Sequence, residues 1–368
     1  MKKKKMTAWM LGMILAVSCV ATGCNKAPEQ SSLPETKTAE EQPVVQNEAG
    51  GGETPAENPE SKDTIVLKLA HHTAIDSAYD VAIKHYADLV YERTDGRVRI
   101  DVYPAAQIGG ERDVLEGLEL GTVDMTLNTS ALIMNIVPEY GLLDLPFLFE
   151  DYDHVRACLD GEAGKMLGDK LLEQRGIRML GGWCSGFRIM LTTNKRIESL
   201  EDFSGVKFRA PETPVYIDMF TALGSSPTPI PYGEVYTALQ TGVVEGVEVA
   251  AEPMYTSKFH EVGKYLIRTN HIFSTICPLI NEEKFQSLPE DVQQIMLDTM
   301  KEATDYQWEL FAEADEKALQ AMIDSGCELI EIDRQPLVEA CADMQQKYIE
   351  ELDAQAFMDH VQSAKQGK

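Results

Sequence analysis

No two of the seven cysteines are spaced as CxxC. Cys19 and Cys24 lie near the N-terminus, and Cys158, Cys184, Cys277, Cys327 and Cys341 are odd in number and scattered. That pattern supports neither a zinc site nor a disulfide framework and reads as small buried side chains. Basic residues are also scarce, 33 Lys and Arg against 60 Asp and Glu, for a net charge of −27. Nucleic acid and anionic membrane surfaces are therefore excluded as partners of the body of the protein. An anionic small molecule is not excluded, because it feels the donors of its own pocket, where one buried arginine dominates. The signatures HExxH, GxSxG and a glycine-rich phosphate loop are missing too. His71, His72 and Asp76 are close in sequence but stand without a catalytic motif. The expectation is a protein that is not an enzyme and holds no cofactor or metal.

What is present begins with an export signal. Lys2 to Lys5 form a positive start, and the apolar run Met6 to Ala21 is too short to span a membrane comfortably. It ends in Ala21-Thr22-Gly23-Cys24, which resembles a lipobox, so residues 1–23 are expected to be removed and Cys24 lipidated. Cys19, after Ala16-Val17-Ser18, is the weaker alternative, and an ordinary cleaved signal is the plain one. Residues 24–62 are rich in Glu, Pro, Gly, Ser, Thr and Gln, with too little apolar surface to fold. Behind a lipid they read as a tether that holds the body off a membrane.

Folded sequence starts near Asp63. Thr64 to Ala70 reads as a strand, and Ser77 to Thr94 as a helix with Ala78, Val81, Ala82, His85, Tyr86, Leu89 and Val90 on one face. Asp95-Gly96 stops that helix. A strand over Val98 to Tyr103, a helix over Glu111 to Leu120 and a strand over Val123 to Leu127 complete a β-α-β-α-β lobe with parallel strands. Similar alternation recurs from Arg178 to Val249. The segment from Pro289 to about Ser325 has no internal Pro or Gly and carries apolar residues at helical spacing. Such a helix reaches roughly 50 Å, so it either breaks or spans two lobes.

Six stretches then carry a resemblance: Gly96 to Pro104 with Gln107-Ile108-Gly109-Gly110-Glu111-Arg112; Asp144-Leu145-Pro146-Phe147-Leu148-Phe149 with Asp153-His154; Gly186-Phe187-Arg188 through Thr193-Asn194-Lys195; Gly205 to Pro211; Pro227 to Gly246; and Lys258 to Leu266. Their order and spacing resemble the solute-binding subunits of tripartite ATP-independent periplasmic (TRAP) transporters, the dicarboxylate-binding-protein family. The resemblance covers essentially everything after the tether. It implies an α/β, two-lobed periplasmic-binding-protein-like fold with hinge strands, a long lobe-spanning helix and an interlobe ligand cleft. By analogy the solute-binding domain is 63–368, with lobe I about 63–185 plus 275–314 and lobe II about 186–274 plus 315–368. It further implies extracytoplasmic capture of a small organic carboxylate and delivery to small and large integral-membrane subunits. A binding protein serving a chemoreceptor or sensor kinase has the same fold and is the alternative.

The resemblance also suggests site residues. Arg209 matches the arginine that pairs with the ligand carboxylate, a task that suits a guanidinium fork; the alternative is a surface arginine at a strand end. Arg188 is a second ligand arginine or a hinge-strand ion pair. Tyr232 matches an aromatic plate against the ligand, or is a loop-core tyrosine. Glu111, Asn128 and His71 occupy positions that line the opposite lobe and read hydroxyls, or are a solvated helix start, a strand-end polar residue and a satisfied core histidine. One position departs from the family pattern. Where relatives carry an asparagine in Gln-Glu-Asn, this sequence has Val249, so that contact is lost or apolar.

Overall fold

In the computed structural model, which describes residues 64–366, the first strand forms where Ile65, Leu67 and Leu69 alternate with exposed Val66 and Lys68. The calls on residues 1–23, on Cys19 and Cys24 and on the 24–62 tether fall outside the described residues. The described residues form twelve strands in chain order: β1 Ile65–Ala70, β2 Val98–Tyr103, β3 Met125–Thr129, β4 Ile177–Met179, β5 Trp183–Phe187, β6 Ile189–Thr192, β7 Lys207–Ala210, β8 Ser226–Pro229, β9 Gly246–Val249, β10 Tyr265–Arg268, β11 Phe273–Asn281 and β12 Glu328–Glu331. They make two sheets. One runs β2-β1-β3-β11-β4, with β5 also paired to β11; the other runs β12-β10-β6-β9-β7-β8.

The β-α-β-α-β start is present, with β1 parallel to β2 and β3. Its helices are Ala78–Arg93, capped by the Ser77 side chain on the Asp80 amide, and Glu111–Glu119. Three details differ from expectation. The inward face of the first helix is rotated: Tyr79 and Ile83 are buried and Val81 is exposed, because this helix packs against a second helix as well as the sheet. The third strand starts two residues late, since the Asp124 carboxylate accepts the Lys68 amide at 2.7 Å and occupies the ladder position. The sheets are mixed: β11 returns antiparallel to β3, β4 and β5, and β6 is antiparallel to β9 and β10.

The chain crosses between sheets at β5 to β6, at β10 to β11, and along the helix Glu290–Asp324. That helix is unbroken for 35 residues, about 50 Å. It packs against Ala78–Arg93 beside the first sheet and against the helix Ala251–Thr256 beside the second. Its buried polar groups serve the strand it covers. Gln307 accepts the Cys184 amide (2.8 Å) and donates to the Cys184 carbonyl (2.7 Å), while Trp308 donates to the Gly182 carbonyl (3.0 Å). One edge of β5 is thereby paired with side chains, and the edge is closed without another strand. The last helix, Gln355–Gln366, departs from the expected division. It packs against Tyr152–Asp160 and Glu162–Arg175, on the first sheet's side, and His154 Nε2 meets the Val361 carbonyl at 2.9 Å. The expected grouping of 315–368 with lobe II does not describe it.

The first crossing turns on Gly186, whose φ is +76°. A Cβ there would lie 2.7 Å from Phe311 Cε1 on the spanning helix and 3.1 Å from Ala250 Cβ. Both the backbone conformation and the space require glycine. Gly186→Ala is therefore expected to lower stability by roughly 1–3 kcal/mol. An unchanged midpoint in urea denaturation would remove this account of the crossing.

Candidate functional site

The ends of β1, β3 and β5 from the first sheet face the ends of β7 and β9 from the second across a small cavity. Its walls come from both sheets and carry His72, Glu111, Arg188, Arg209 and Tyr232. A larger groove of ≈ 610 Å³ lies elsewhere, but its arginines and Lys165 are already paired: Arg156 with Asp160 and Asp305, Lys165 with Asp169, Arg178 with Glu282.

Arg209 sits on β7, 4% exposed, against the small cavity. Its Nε donates to the Ile230 carbonyl at 2.9 Å. Among the described residues its two terminal nitrogens have no hydrogen-bond partner and it joins no ion pair. Burial pulls its pKa down to about 10, opposed by the Glu248 charge, so it stays cationic at neutral pH. Tyr232 stands beside it, ring centre 5.9 Å from the guanidinium carbon. The Tyr232 hydroxyl is held by Ser257 Oγ (2.7 Å) and donates to the Pro253 carbonyl (3.1 Å).

Arg188 lines the same cavity but faces differently. Its fork grips Glu248, Nη2 to Oε1 at 2.8 Å and Nε to Oε2, while Nη1 donates to Ser274 Oγ at 3.2 Å. Burial works against both charges, yet the pair outweighs it: Arg188 is held above the ordinary arginine range and Glu248 below the ordinary carboxylate range. His271 Nε2 lies 3.3 Å from Glu248 Oε2, and burial keeps that ring's pKa low. The hinge ion pair named as the alternative for Arg188 is therefore in place.

On the opposite wall, Glu111 begins a helix and lines the cavity. Its Oε1 accepts the Thr129 amide (2.6 Å) and hydroxyl (2.7 Å), and its Oε2 lies 3.6 Å from His72 Nε2. Asn128 and His71 do not line the cavity. Asn128 donates to the Glu111 carbonyl at 2.9 Å. His71 is buried between Asp80 (3.2 Å) and Thr73 (2.9 Å), and burial lowers its pKa to about 4. Their chain neighbours His72 and Thr129 line the cavity instead. Adjacent residues of an extended segment point to opposite sides, so choosing the neighbour reverses the face. One signal for this was readable: Asp80, an acid on the inner side of the first helix, supplies the core partner for His71. Val249 also lines the wall, so the departure from asparagine leaves an apolar surface. Ser185 and Ile276 also line it, with no signal in the sequence to find them.

Two contacts close the cavity's flank, the first within the first sheet's side and the second across the sheets. Tyr79 Oη and Ser185 Oγ are 2.7 Å apart. Glu252, beside the second sheet, accepts the Ala78 amide at 2.9 Å, at the start of a first-sheet helix, where the exposed partial positive charge favours a carboxylate. Burial, with Asp315 nearby, nevertheless raises the Glu252 pKa to about 7.

Comparison with known proteins follows from this geometry. The pattern of bacterial extracellular solute-binding protein family 7 (DctP) matches residues 69–353. The chain is 37% identical over 269 residues to the C4-dicarboxylate-binding periplasmic protein DctP of Rhodobacter capsulatus, covering 73% of this chain and 80% of that one. It is 32% identical over 275 residues to the 2,3-diketo-L-gulonate-binding periplasmic protein YiaO of Escherichia coli K12, covering 74% and 84%. Among solved structures, the sugar acid binding protein DctPAm from Advenella mimigardefordensis, in complex with galactonate, superposes with a TM-score of 0.79 at 27% identity, over 82% of this chain and 99% of that one. A TRAP periplasmic solute-binding protein from Sulfurospirillum deleyianum with bound succinate gives 0.77 at 30% identity, over 82% and 99%.

Glu252 supplies a test by pH. Its folded pKa, about 7, lies above the ordinary glutamate value of 4.5, so the folded state holds its proton more tightly between those values. Its contribution to stability is present below pH 4.5 and is lost as pH rises through 7. Glu252→Gln keeps the acceptor for Ala78 and removes the charge. It is expected to be more stable than the parent at pH 8, by roughly 1–3 kcal/mol, with the gain vanishing near pH 4.5. Urea titrations at both pH values read this directly, and a gain independent of pH would contradict it.

Proposed function

Because this chain belongs to family 7 of the bacterial extracellular solute-binding proteins, we propose that it captures a small organic carboxylate outside the cytoplasm and delivers it to the membrane subunits of a TRAP-type transporter. The observation that carries this reading is Arg209: a buried guanidinium aimed at an interlobe cavity with both terminal nitrogens unpartnered. A buried cation without a counter-ion is costly unless something anionic completes it, and a carboxylate fits the fork with two parallel bonds. The relatives with bound galactonate and succinate agree in chemistry, each being an organic acid. Tyr232 gives an aromatic wall beside the fork, and Glu111 faces it from the other lobe. Arg188 holds the crossing through Glu248 and shapes the pocket. Asn128 and His71 act from behind the lining by fixing Glu111 and the β1 end. No step of bond making is assigned to any of them.

Arg209→Ala leaves the ligand carboxylate desolvated and unpaired, a loss of roughly 2–5 kcal/mol, or about 30-fold to several thousand-fold in affinity. Arg209→Lys keeps the charge, loses the fork and also weakens binding. Calorimetric titration with an organic acid chosen by thermal shift measures both, with circular dichroism confirming the fold. Near-parental affinity in a folded Arg209→Ala protein would overturn the carboxylate assignment.

We also propose that the body is anchored by lipid on Cys24, with residues 1–23 removed and 24–62 serving as tether. The sequence Ala21-Thr22-Gly23-Cys24 after an apolar run supports this. Cys24→Ala should leave the protein unprocessed or release it from membranes. Mass spectrometry showing an unmodified mature terminus at another residue would remove the anchor.

A further inference from the structure

The cavity's polar groups are mostly bonded to one another before any ligand arrives. Tyr232 is held by Ser257 and Pro253, and Tyr79 by Ser185. Thr129 Oγ1 donates to Glu111, and Thr73 Oγ1 meets His71. Arg188 is bound through all three nitrogens by Glu248 and Ser274. Four features are left over among the described residues. They are the two terminal nitrogens of Arg209, the ring nitrogens of His72, whose Nδ1 is buried without a partner, Glu111 Oε2, 3.6 Å from His72 Nε2, and the one O–H that the Tyr79–Ser185 pair does not use between its two oxygens. The rest of the exposed wall is carbon from Leu132, Val249, Pro253 and Ile276, together with Ala131 and Pro211.

A buried ligand must match that inventory, because each of its polar groups that finds no partner loses its water without compensation. A sugar acid brings four or so hydroxyl groups to a wall that has two polar spots to offer besides the arginine, the His72–Glu111 pair and the spare hydroxyl of Tyr79 and Ser185. A dicarboxylate brings a second anion toward the free oxygen of Glu111, with no second unpaired arginine to receive it. We infer that the cleft selects a small monocarboxylate with a largely apolar body and at most two further neutral polar groups, its carboxylate on Arg209 and those groups at His72 and Glu111 and at the Tyr79–Ser185 pair, and that Glu111 rejects a second carboxylate. The inference rests on the reading of Arg209 as the carboxylate anchor. It uses both sides of selectivity: an apolar wall that receives carbon, and a fixed like charge that turns away the wrong ligand.

The test titrates the full chain with four probes: 3-methyl-2-oxobutanoate, 2-hydroxybutanoate, succinate and D-glucuronate. The parent is expected to bind at least one of the two monocarboxylates about ten-fold or more tighter than either of the others. In Glu111→Gln, where the like charge is gone, succinate should gain about ten-fold relative to the monocarboxylates. Val249→Asn offers a second route that leaves the Glu111–Thr129 contacts untouched; a donor and acceptor in the apolar wall should move preference toward succinate and glucuronate. Succinate or glucuronate binding the parent as tightly as both monocarboxylates overturns the inference. If that binding disappears in Arg209→Ala, the carboxylate anchor stands and only the selectivity falls. If none of the four binds, the inference falls while the anchor keeps its own test; if binding survives in folded Arg209→Ala, the anchor falls and the inference falls with it. Unchanged preferences in a folded Glu111→Gln protein overturn the role given to Glu111.

Discussion

The pairing of Arg188 with Glu248 is the constraint on which the rest of the site depends. Arg188 stands at the step from β5 to β6, and Glu248 on β9, so the pair fastens a crossing strand into the second sheet. Ser274 on β11 and His271 just before it join the same cluster, and the Arg188 amide donates to the Ile272 carbonyl at 2.8 Å. The two strand crossings are thus held together by one buried cation and one buried carboxylate. Burying two charges gives little net stability against apolar residues of the same size, but losing either partner is severe, so such a pair fixes geometry more than it deepens the well. A neighbouring carboxyl shows the strength of the burial: Asp144, bonded to Ser130 and Tyr216, is pushed up to about 7.

Charge balance in this cluster explains how a protein of net charge −27 attracts an anion. Two arginines are buried near one fully engaged carboxylate. Glu248 neutralises Arg188 and leaves Arg209, which it does not touch, with an uncompensated fork. Surface acids act through water and counter-ions, where their field fades within about 10 Å, while the buried fork acts at contact distance. Each guanidinium also lies near a tyrosine ring, Arg188 at 5.0 Å from Tyr216 and Arg209 at 5.9 Å from Tyr232, which adds attraction for the cation without offering a competing anion.

Local pattern carried much of this into the sequence. The first strands and helices, the stop at Asp95-Gly96 and the long Pro289-led helix follow from alternation, caps and breakers acting over a few residues. Long-range pairing was not legible in the same way. β11 enters the first sheet between β3 and β4 although more than 140 residues separate it from β3, and nothing near Phe273 announces that partner. The site divides along the same line. Arg209, Arg188, Tyr232 and Glu111 were named through motif positions, and the structure brings all four to one cavity. His71 and Asn128 were each one residue from a lining side chain, because a period of two fixes alternation but not which face turns inward. The partner of Arg188, sixty positions away, separates an arginine that fixes the crossing from one that is free, and that distinction exists only in three dimensions.

The same crossing couples the cavity to the relation between the sheets. Ser185 and Arg188 flank the Gly186-Phe187 step, and both line the cavity. Gly186 lies under Phe311 of the spanning helix, and Tyr79, which packs on Phe311 at 5.2 Å, reaches Ser185 with its hydroxyl. Whatever fills the cavity therefore touches the residues that set the angle of the β5–β6 step. The helix Glu290–Asp324 packs on both sides of this crossing, against Ala78–Arg93 and against Ala251–Thr256. The cavity wall and the β5–β6 crossing therefore share one set of side chains, Ser185 and Arg188.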